Sequence, residues 1–323
     1  MVAIADSTDA PRKMPRVGIL DTARGVALIA MATYHFTWDM EFMGYLAPGT
    51  AETGWLKIYA RAIASSFLFL AGVSLVLANY PEIRPRPFLK RLGMIVVAAA
   101  LITVVTVFAM PNGFIFFGIL HSIAAASVLG LLFLRLPPAI TILAAVAAVA
   151  APNYLRSATF DAPWFWWIGL SEHLSRSNDY VPILPWFGPF LFGLGGARIA
   201  ISLGWLEPLA SLGTGDSPFA RLGRHSLLFY LLHQPILIAI AYGLSIVVPP
   251  AKPDPTETYL NQCQSGCAQQ QQEEALCRRF CQCTLDKLQA QNLFTPFQSG
   301  AIQADKDERM LALAQECSAA AEQ

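Results

Sequence analysis

From residue 17 to residue 248 the chain alternates long apolar runs with short polar ones. Seven of these runs approach or exceed the ~20 residues that a membrane-crossing helix needs. They cover about 17–37, 61–79, 91–110, 114–134, 139–155, 183–203 and 225–248. The fifth is Ala/Val-rich and short. Pro111-Asn112-Gly113 turns the third run back on the fourth, and Arg135-Leu136-Pro137-Pro138 makes the next turn. Trp38–Tyr59, residues 156–182 and Gly204–Arg224 read as loops. Trp164, Trp166 and Trp167 in the second of these suit an interfacial aromatic belt. After Pro249-Pro250 the pattern changes, and the last seventy or so residues are polar, Gln-rich and Cys-rich. The predicted fold is therefore all-α, a polytopic helical membrane protein with about seven transmembrane helices over residues 16–250. A disordered N-terminus (1–15) precedes it and a small Cys-rich helical segment (251–323) follows.

Composition agrees with the pattern. Hydrophobic residues make up 55% of the chain and charged residues only 14%, against about 25% charged in a soluble domain. The net charge is zero and no basic face is interleaved with aromatics, which excludes nucleic acid as a partner. The first apolar run contains Asp21 and Arg24, and no small-residue cleavage site follows it, so it reads as a span rather than a cleavable signal. The loops sort the cations. Arg12, Lys13, Arg16, Arg84, Arg86, Lys90, Arg91, Arg135, Arg221 and Arg224 fall on one side. Lys57, Arg61, Arg156, Arg176 and Lys252 fall on the other, diluted by acids. The positive-inside rule then predicts a cytoplasmic N-terminus and, after seven spans, a tail outside the cytoplasm, as in a bacterial inner-membrane protein.

The cysteines test that topology. All six follow residue 260. Cys263 and Cys267 are separated by three residues, and Cys277 and Cys281 repeat the spacing, so in helices each pair shares one face. Two antiparallel helices would be stapled as Cys263–Cys281 and Cys267–Cys277, leaving Cys283 to pair with Cys317. Four cysteines allow three connectivities, and a four-thiolate zinc site is the competing arrangement. Disulfides are expected, because an even count in a short polar segment suits an oxidising compartment. The tail has no His and no C-x-x-C redox pair, so it is expected to be a structural addition that can bind a protein partner.

Candidate chemistry gathers in the first run. Asp21, Arg24, Leu28, Met31 and His35 follow the spacing of one helix face. Eleven residues separate Arg24 from His35, about 16 Å along the axis at 1.5 Å per residue. One stripe thus carries a fixed cation near one membrane surface and an imidazole well toward the other. Ionisable groups within a span are costly and usually face a protein-lined or water-filled cavity. Arg24 needs a partner, and Asp21 is the natural one; the pair is either structural or a contact for substrate or a phosphate. Asp39, four residues past His35, shares its face if the helix continues and would orient the imidazole. His121 lies mid-run and either lines a cavity or bonds between helices. His233 and Gln234 precede Pro235, which frees a backbone carbonyl; they line the same cavity or hold the kink. Trp186, between Pro185 and Pro189, is a further binding candidate. Arg84, Arg86, Lys90 and Arg91 are either a positive-inside anchor or a dock for anionic phosphates. His225 reads as interfacial and His173 as a loop residue. No phosphate-cradling Gly-rich loop or His pair at metal-ligand spacing is present, and no metal is expected.

Four segments together resemble the bacterial members of the heparan-alpha-glucosaminide N-acetyltransferase catalytic-domain family, within the wider transmembrane acyltransferases. They are Arg16–His35, with an Asp-x-x-Arg-Gly opening; Phe114–Leu134 (FIFFGILHSIAAASVLGLLFL); Asp179–Arg198 (DYVPILPWFGPFLFGLGGAR); and Leu222–Leu237 (LGRHSLLFYLLHQPIL). The resemblance implies transfer of an acyl group, usually acetyl, from cytosolic acyl-CoA to a hydroxyl or amine of a sugar-like acceptor at or across the membrane. In the superfamily an Arg, ten residues and a His form a signature, matched here by Arg24 and His35. The lysosomal members carry a catalytic His after the first span. Residues 40–60 contain none here, which leaves His35 as the catalytic imidazole, base or transient acyl carrier, with Asp39. The partners implied are membrane lipids and a glycan or sugar-like acceptor. The rival readings are a haem protein, weak with three scattered histidines, and a transporter or lipid-binding scaffold with an Asp/Arg/His polar path and helices broken at Pro185 and Pro235.

Overall fold

The computed structural model describes residues 17–173, 177–212, 217–251, 254–269, 273–304 and 306–321. The expectation for residues 1–15 lies outside them. Two compact units divide at Val248, and each is described by itself.

The first unit is helical, and among its described residues there is only one isolated bridge, Phe117 to Tyr180. Its helices are α1 (Gly18–Phe42), α2 (Gly54–Asn79), α3 (Pro85–Ala109), α4 (Ile119–Gly130), α5 (Pro138–Leu155), α6 (Ile183–Ser202), α7 (Leu206–Ser211), α8 (Pro218–Arg224) and α9 (Ser226–Val247). Five of them, α2, α3, α5, α6 and α9, are long and apolar enough to cross a membrane. The two other predicted spans deviate for identifiable reasons. The first helix runs on to Phe42 and carries Asp21, Arg24, Asp39 and Glu41. The fourth run starts as extended chain, because Val181 N–H bonds the Phe117 carbonyl, and only Ile119–Phe133 is helical or 3-10. The second run is longer than the apolar pattern suggested, since α2 begins at Gly54 rather than near residue 61. The predicted 204–224 loop contains α7 and α8.

Helices α2 and α6 form the buried centre, with Leu68, Val76, Phe190, Leu191 and Leu194 at its core and α5 packed on α6. Their backbones meet where Gly72 faces the Phe190 carbonyl and Gly193 faces the Phe69 carbonyl, the close approach that small residues permit in lipid. By contrast α3 and α9 expose Val97, Val104, Phe108, Ile236, Ile240 and Ile246, an apolar surface suited to lipid.

The second unit contains α10 (Pro255–Gln269), α11 (Glu274–Ala290), α12 (Phe294–Gln298) and α13 (Glu308–Ala321). Three disulfides join Cys263 to Cys281, Cys267 to Cys277 and Cys283 to Cys317. The first two staple α10 to α11, and the third ties α11 to α13. Leu288, Leu293, Met310 and Leu313 fill its small core, and Arg279 donates twice to the Ala321 carbonyl. So small a core needs such staples.

Candidate active site

The site is built where α1 crosses α8 and α9. Gly25 and Gly223 make the first crossing possible. A Cβ on Gly25 would overlap the Phe219 carbonyl, and one on Gly223 would overlap the Asp21 carbonyl. The glycine after Arg24 is thus dictated by backbone contact. The arginine itself turns inward. Its Nη1 donates to Asp21 Oδ1 at 2.7 Å, and its Nη2 donates to Ser74 Oγ on α2 at 2.5 Å. Ser74 in turn donates to the Leu70 carbonyl. The Asp21 pairing was legible from spacing. Ser74 was missed, although a lone hydroxyl in the apolar run LFLAGVSLVLAN was its signal.

This ion pair stands on the wall of an open cavity of about 730 Å³ lined by residues of α1, α2, α3, α4, α8 and α9. Arg24, Arg91 and Arg224 line it, with Asp21 and His225, while Leu28, Phe67, Leu70, Ile119 and Tyr230 supply apolar wall. The lining thus combines three guanidiniums with an uncharged apolar wall. Of the predicted basic cluster, Arg91 alone lines this cavity. Arg84, Arg86 and Lys90 are exposed about the start of α3.

Both α1 and α9 continue past the cavity, and there the structure brings together four predicted residues. The rings of His35 and His233 lie 5.1 Å apart between centroids. Gln234 Nε2 donates to Asp39 Oδ1 at 2.6 Å, tying the two helices. Asp39 is fully buried. Helix α1 does continue through Asp39, yet the described residues show no hydrogen bond between its carboxylate and His35; Gln234 takes the partner's place. His233 Nδ1 sits 2.7 Å from the Tyr230 carbonyl, an acceptor, so Nδ1 carries the proton. Among the described residues its Nε2 is buried without a hydrogen-bond partner, as are Asp39 Oδ2 and Gln234 Oε1. His233 also borders an apolar cavity of about 340 Å³ beside Ala32 and Phe229.

His121 is different. Its Nδ1 accepts the Gly118 N–H at 3.2 Å, so the proton is on Nε2, 3.2 Å from Thr103 Oγ1. The Thr103 hydroxyl in turn donates to the Ile115 carbonyl. Both ring nitrogens are used in holding the start of α4 to α3, and of the two alternatives the helix-bonding role is the one this geometry describes. Trp186 packs against the α2–α6 core and lines neither cavity.

Two carboxylates belong to the polar end beyond α4 and α5. Asp179 accepts the Ile119 N–H at 2.9 Å, and burial pushes its carboxyl up to about 6. Asp161 is the opposite. It accepts from Ser171 Oγ and from the Glu172 and His173 N–H groups, which hold it below the usual carboxylate range. Its other oxygen lies 3.1 Å from His173 Nδ1. Asp161, Glu172 and His173 bring ligand atoms within 4.8 Å of one another. The four donors around Asp161 account for the arrangement as a loop anchor.

A sequence profile of the family described as heparan-alpha-glucosaminide N-acetyltransferase, catalytic, matches residues 16–235. The match spans Arg24, the arginine-lined cavity and the His35–His233 pair. No curated protein and no solved structure matches the chain.

Proposed function

The chain belongs to the heparan-alpha-glucosaminide N-acetyltransferase catalytic family, a family of membrane transferases, and we propose that it moves an acyl group, normally acetyl, from cytosolic acyl-CoA to a hydroxyl or amine of a sugar-like acceptor. The observation that carries this reading is the sequence of environments along α1. Arg24, Arg91 and Arg224 line the larger cavity, and their positive charge suits CoA phosphates. The lining then becomes apolar at Leu28 and Tyr230, which suits the uncharged pantetheine arm. Beyond it lie two imidazoles and a buried carboxylate. Eleven residues of helix separate Arg24 from His35, about 16 Å, a reach that an extended pantetheine arm covers.

At that centre His35 and His233 share the two tasks that acyl transfer requires. One takes the acceptor's proton, and the other contacts or transiently carries the acyl group. The basic end of the bundle faces the cytoplasm in this reading, as the donor demands. The acceptor then approaches from the opposite side, where Asp161, Glu172, His173 and Asp179 lie. The three disulfides of the tail suit an extracytoplasmic compartment, the periplasm of a bacterial inner-membrane protein. There the tail is free to engage a protein partner.

The test is CoA release from acetyl-CoA by the purified protein in detergent, with a mixture of cell-envelope glycans as acceptor. The wild-type protein is expected to turn over and the His35→Ala/His233→Ala double variant to be inactive. Equal release by both would remove the imidazole centre from the reaction.

A further inference from the structure

The hydrogen bonds of two intramembrane histidines fix opposite tautomers. His121 accepts at Nδ1 and donates at Nε2, and nothing is left over. His233 donates at Nδ1 to the Tyr230 carbonyl and keeps a lone pair on Nε2. The residue is only 7% exposed, and that nitrogen has no hydrogen-bond partner among the described residues. Among the described residues the same centre contains two more buried side-chain oxygens without a hydrogen-bond partner, Asp39 Oδ2 and Gln234 Oε1. With the proton of His233 held on Nδ1, its Nε2 is an acceptor. A buried polar atom left unmatched in a folded protein calls for an explanation, and a catalytic role is one of the few available. His35, in contrast, is half-buried and has no hydrogen bond among the described residues to select a tautomer.

We propose that His233, rather than His35, is the proton acceptor in the transfer, with Nε2 as the accepting atom. The proposal rests on the acyltransferase reading given above. As the acceptor's nitrogen or oxygen attacks the thioester carbonyl, its proton moves to His233 Nε2 and the new C–N or C–O bond forms. The C–S bond then breaks, and the imidazolium returns the proton to the CoA thiolate. The products are acylated acceptor and CoA thiol, and His233 ends neutral. The Tyr230 carbonyl holds Nδ1–H throughout, which keeps the ring aimed. Asp39 on the facing helix is hydrogen-bonded to Gln234, the residue after His233, which fixes α1 against this part of α9. His35 then contacts the acyl group. The titratable groups beside His233 are His35 on α1, Tyr230 on α9 and His225 at the α8–α9 junction, and Asp39 on α1 bonds the adjoining Gln234.

The experiment pairs kinetics with a readout that needs no turnover. His233→Asn keeps a donor near Nδ1 for the Tyr230 carbonyl and removes the Nε2 lone pair; His233→Gln replaces it if that variant does not fold. With acetyl-CoA and the glycan mixture, kcat is expected to fall about 10²–10⁴-fold, as for loss of a general base. KM for acetyl-CoA should stay unchanged, and the acidic limb of the pH–rate profile should disappear. His35→Asn should keep that limb. In parallel, ¹⁵N-histidine NMR of the wild-type protein in detergent should show His233 as the Nδ1–H tautomer and His121 as the Nε2–H tautomer. Near-wild-type kcat in the His233 variant, loss of the acidic limb in His35→Asn instead, or an Nε2–H tautomer at His233 would each overturn the assignment. A silent wild-type protein whose His233 still shows the Nδ1–H tautomer would instead bring down the acyltransferase reading, and the transfer step with it.

Discussion

Replacing His121 one hydrogen bond at a time separates a structural histidine from a reacting one. His121→Asn keeps an acceptor near the Nδ1 position, so the buried Gly118 N–H stays satisfied. It loses only the bond to Thr103, whose hydroxyl still donates to the Ile115 carbonyl. One neutral bond lost with no orphan left costs about 1 kcal/mol. His121→Gln makes the reverse exchange. It keeps a donor for Thr103 but leaves the Gly118 N–H without an acceptor at the buried start of α4, at about 1–3 kcal/mol. His121→Ala loses both bonds and the ring contact with Phe117 at 5.7 Å, so about 3–5 kcal/mol is expected. The predicted order of stability is wild type, Asn, Gln, Ala. Thermal unfolding in detergent, followed by helical circular dichroism, measures it, and CoA release per folded molecule should be the same for all four. Gln milder than Asn would reverse the tautomer. A variant that melts like wild type yet loses more than tenfold in kcat would put His121 in the chemistry.

Other outcomes follow from the same geometry. Gly25→Val should separate α1 from α8, since the clash is with the Phe219 backbone and no side chain can yield; overpacking of this kind costs about 1–3 kcal/mol, and weaker acetyl-CoA binding should accompany the lower melting temperature. Arg91→Ala and Arg224→Ala should each raise KM for acetyl-CoA roughly tenfold, about 1.4 kcal/mol, while an Arg84/Arg86/Lys90 triple alanine variant should leave it unchanged; the reverse would move the phosphate dock to the surface cluster. Asp179 gives a pH prediction. Its carboxyl takes a proton at about 6 in the folded protein and near 4 in an unfolded chain. The folded state therefore holds more protons between those values, and stability falls as pH rises through them. Asp179→Asn should melt above wild type at pH 8, and the difference should vanish by about pH 4.

Much of the fold could be read from periodicity, because a helix in lipid must satisfy every backbone group internally and so leaves a long apolar run. That rule identified α2, α3, α5, α6 and α9. It stated α1 and the fourth run less well. There Arg24, Asp39 and Asp179 replace apolar contacts with polar ones, and hydropathy alone does not say which neighbour satisfies them. The twin Cys-x-x-x-Cys spacing of the tail carried its own geometry, since residues four apart on two helices can meet only in register. The Arg24–Asp21 pair was legible for the same reason, as both partners lie on one turn. What the sequence could not specify was pairing across helices. Gln234 rather than His35 meets Asp39, Ser74 meets Arg24, and Arg91 rather than its three basic neighbours faces the cavity. Each depends on the rotation of one helix about its axis against another, which is set by contacts such as Gly25 against Phe219 and Gly223 against Asp21. Tautomers belong to the same class. His121 and His233 are chemically identical in the sequence, and only the carbonyl or N–H that the fold brings to Nδ1 leaves one spent and the other free to accept a proton.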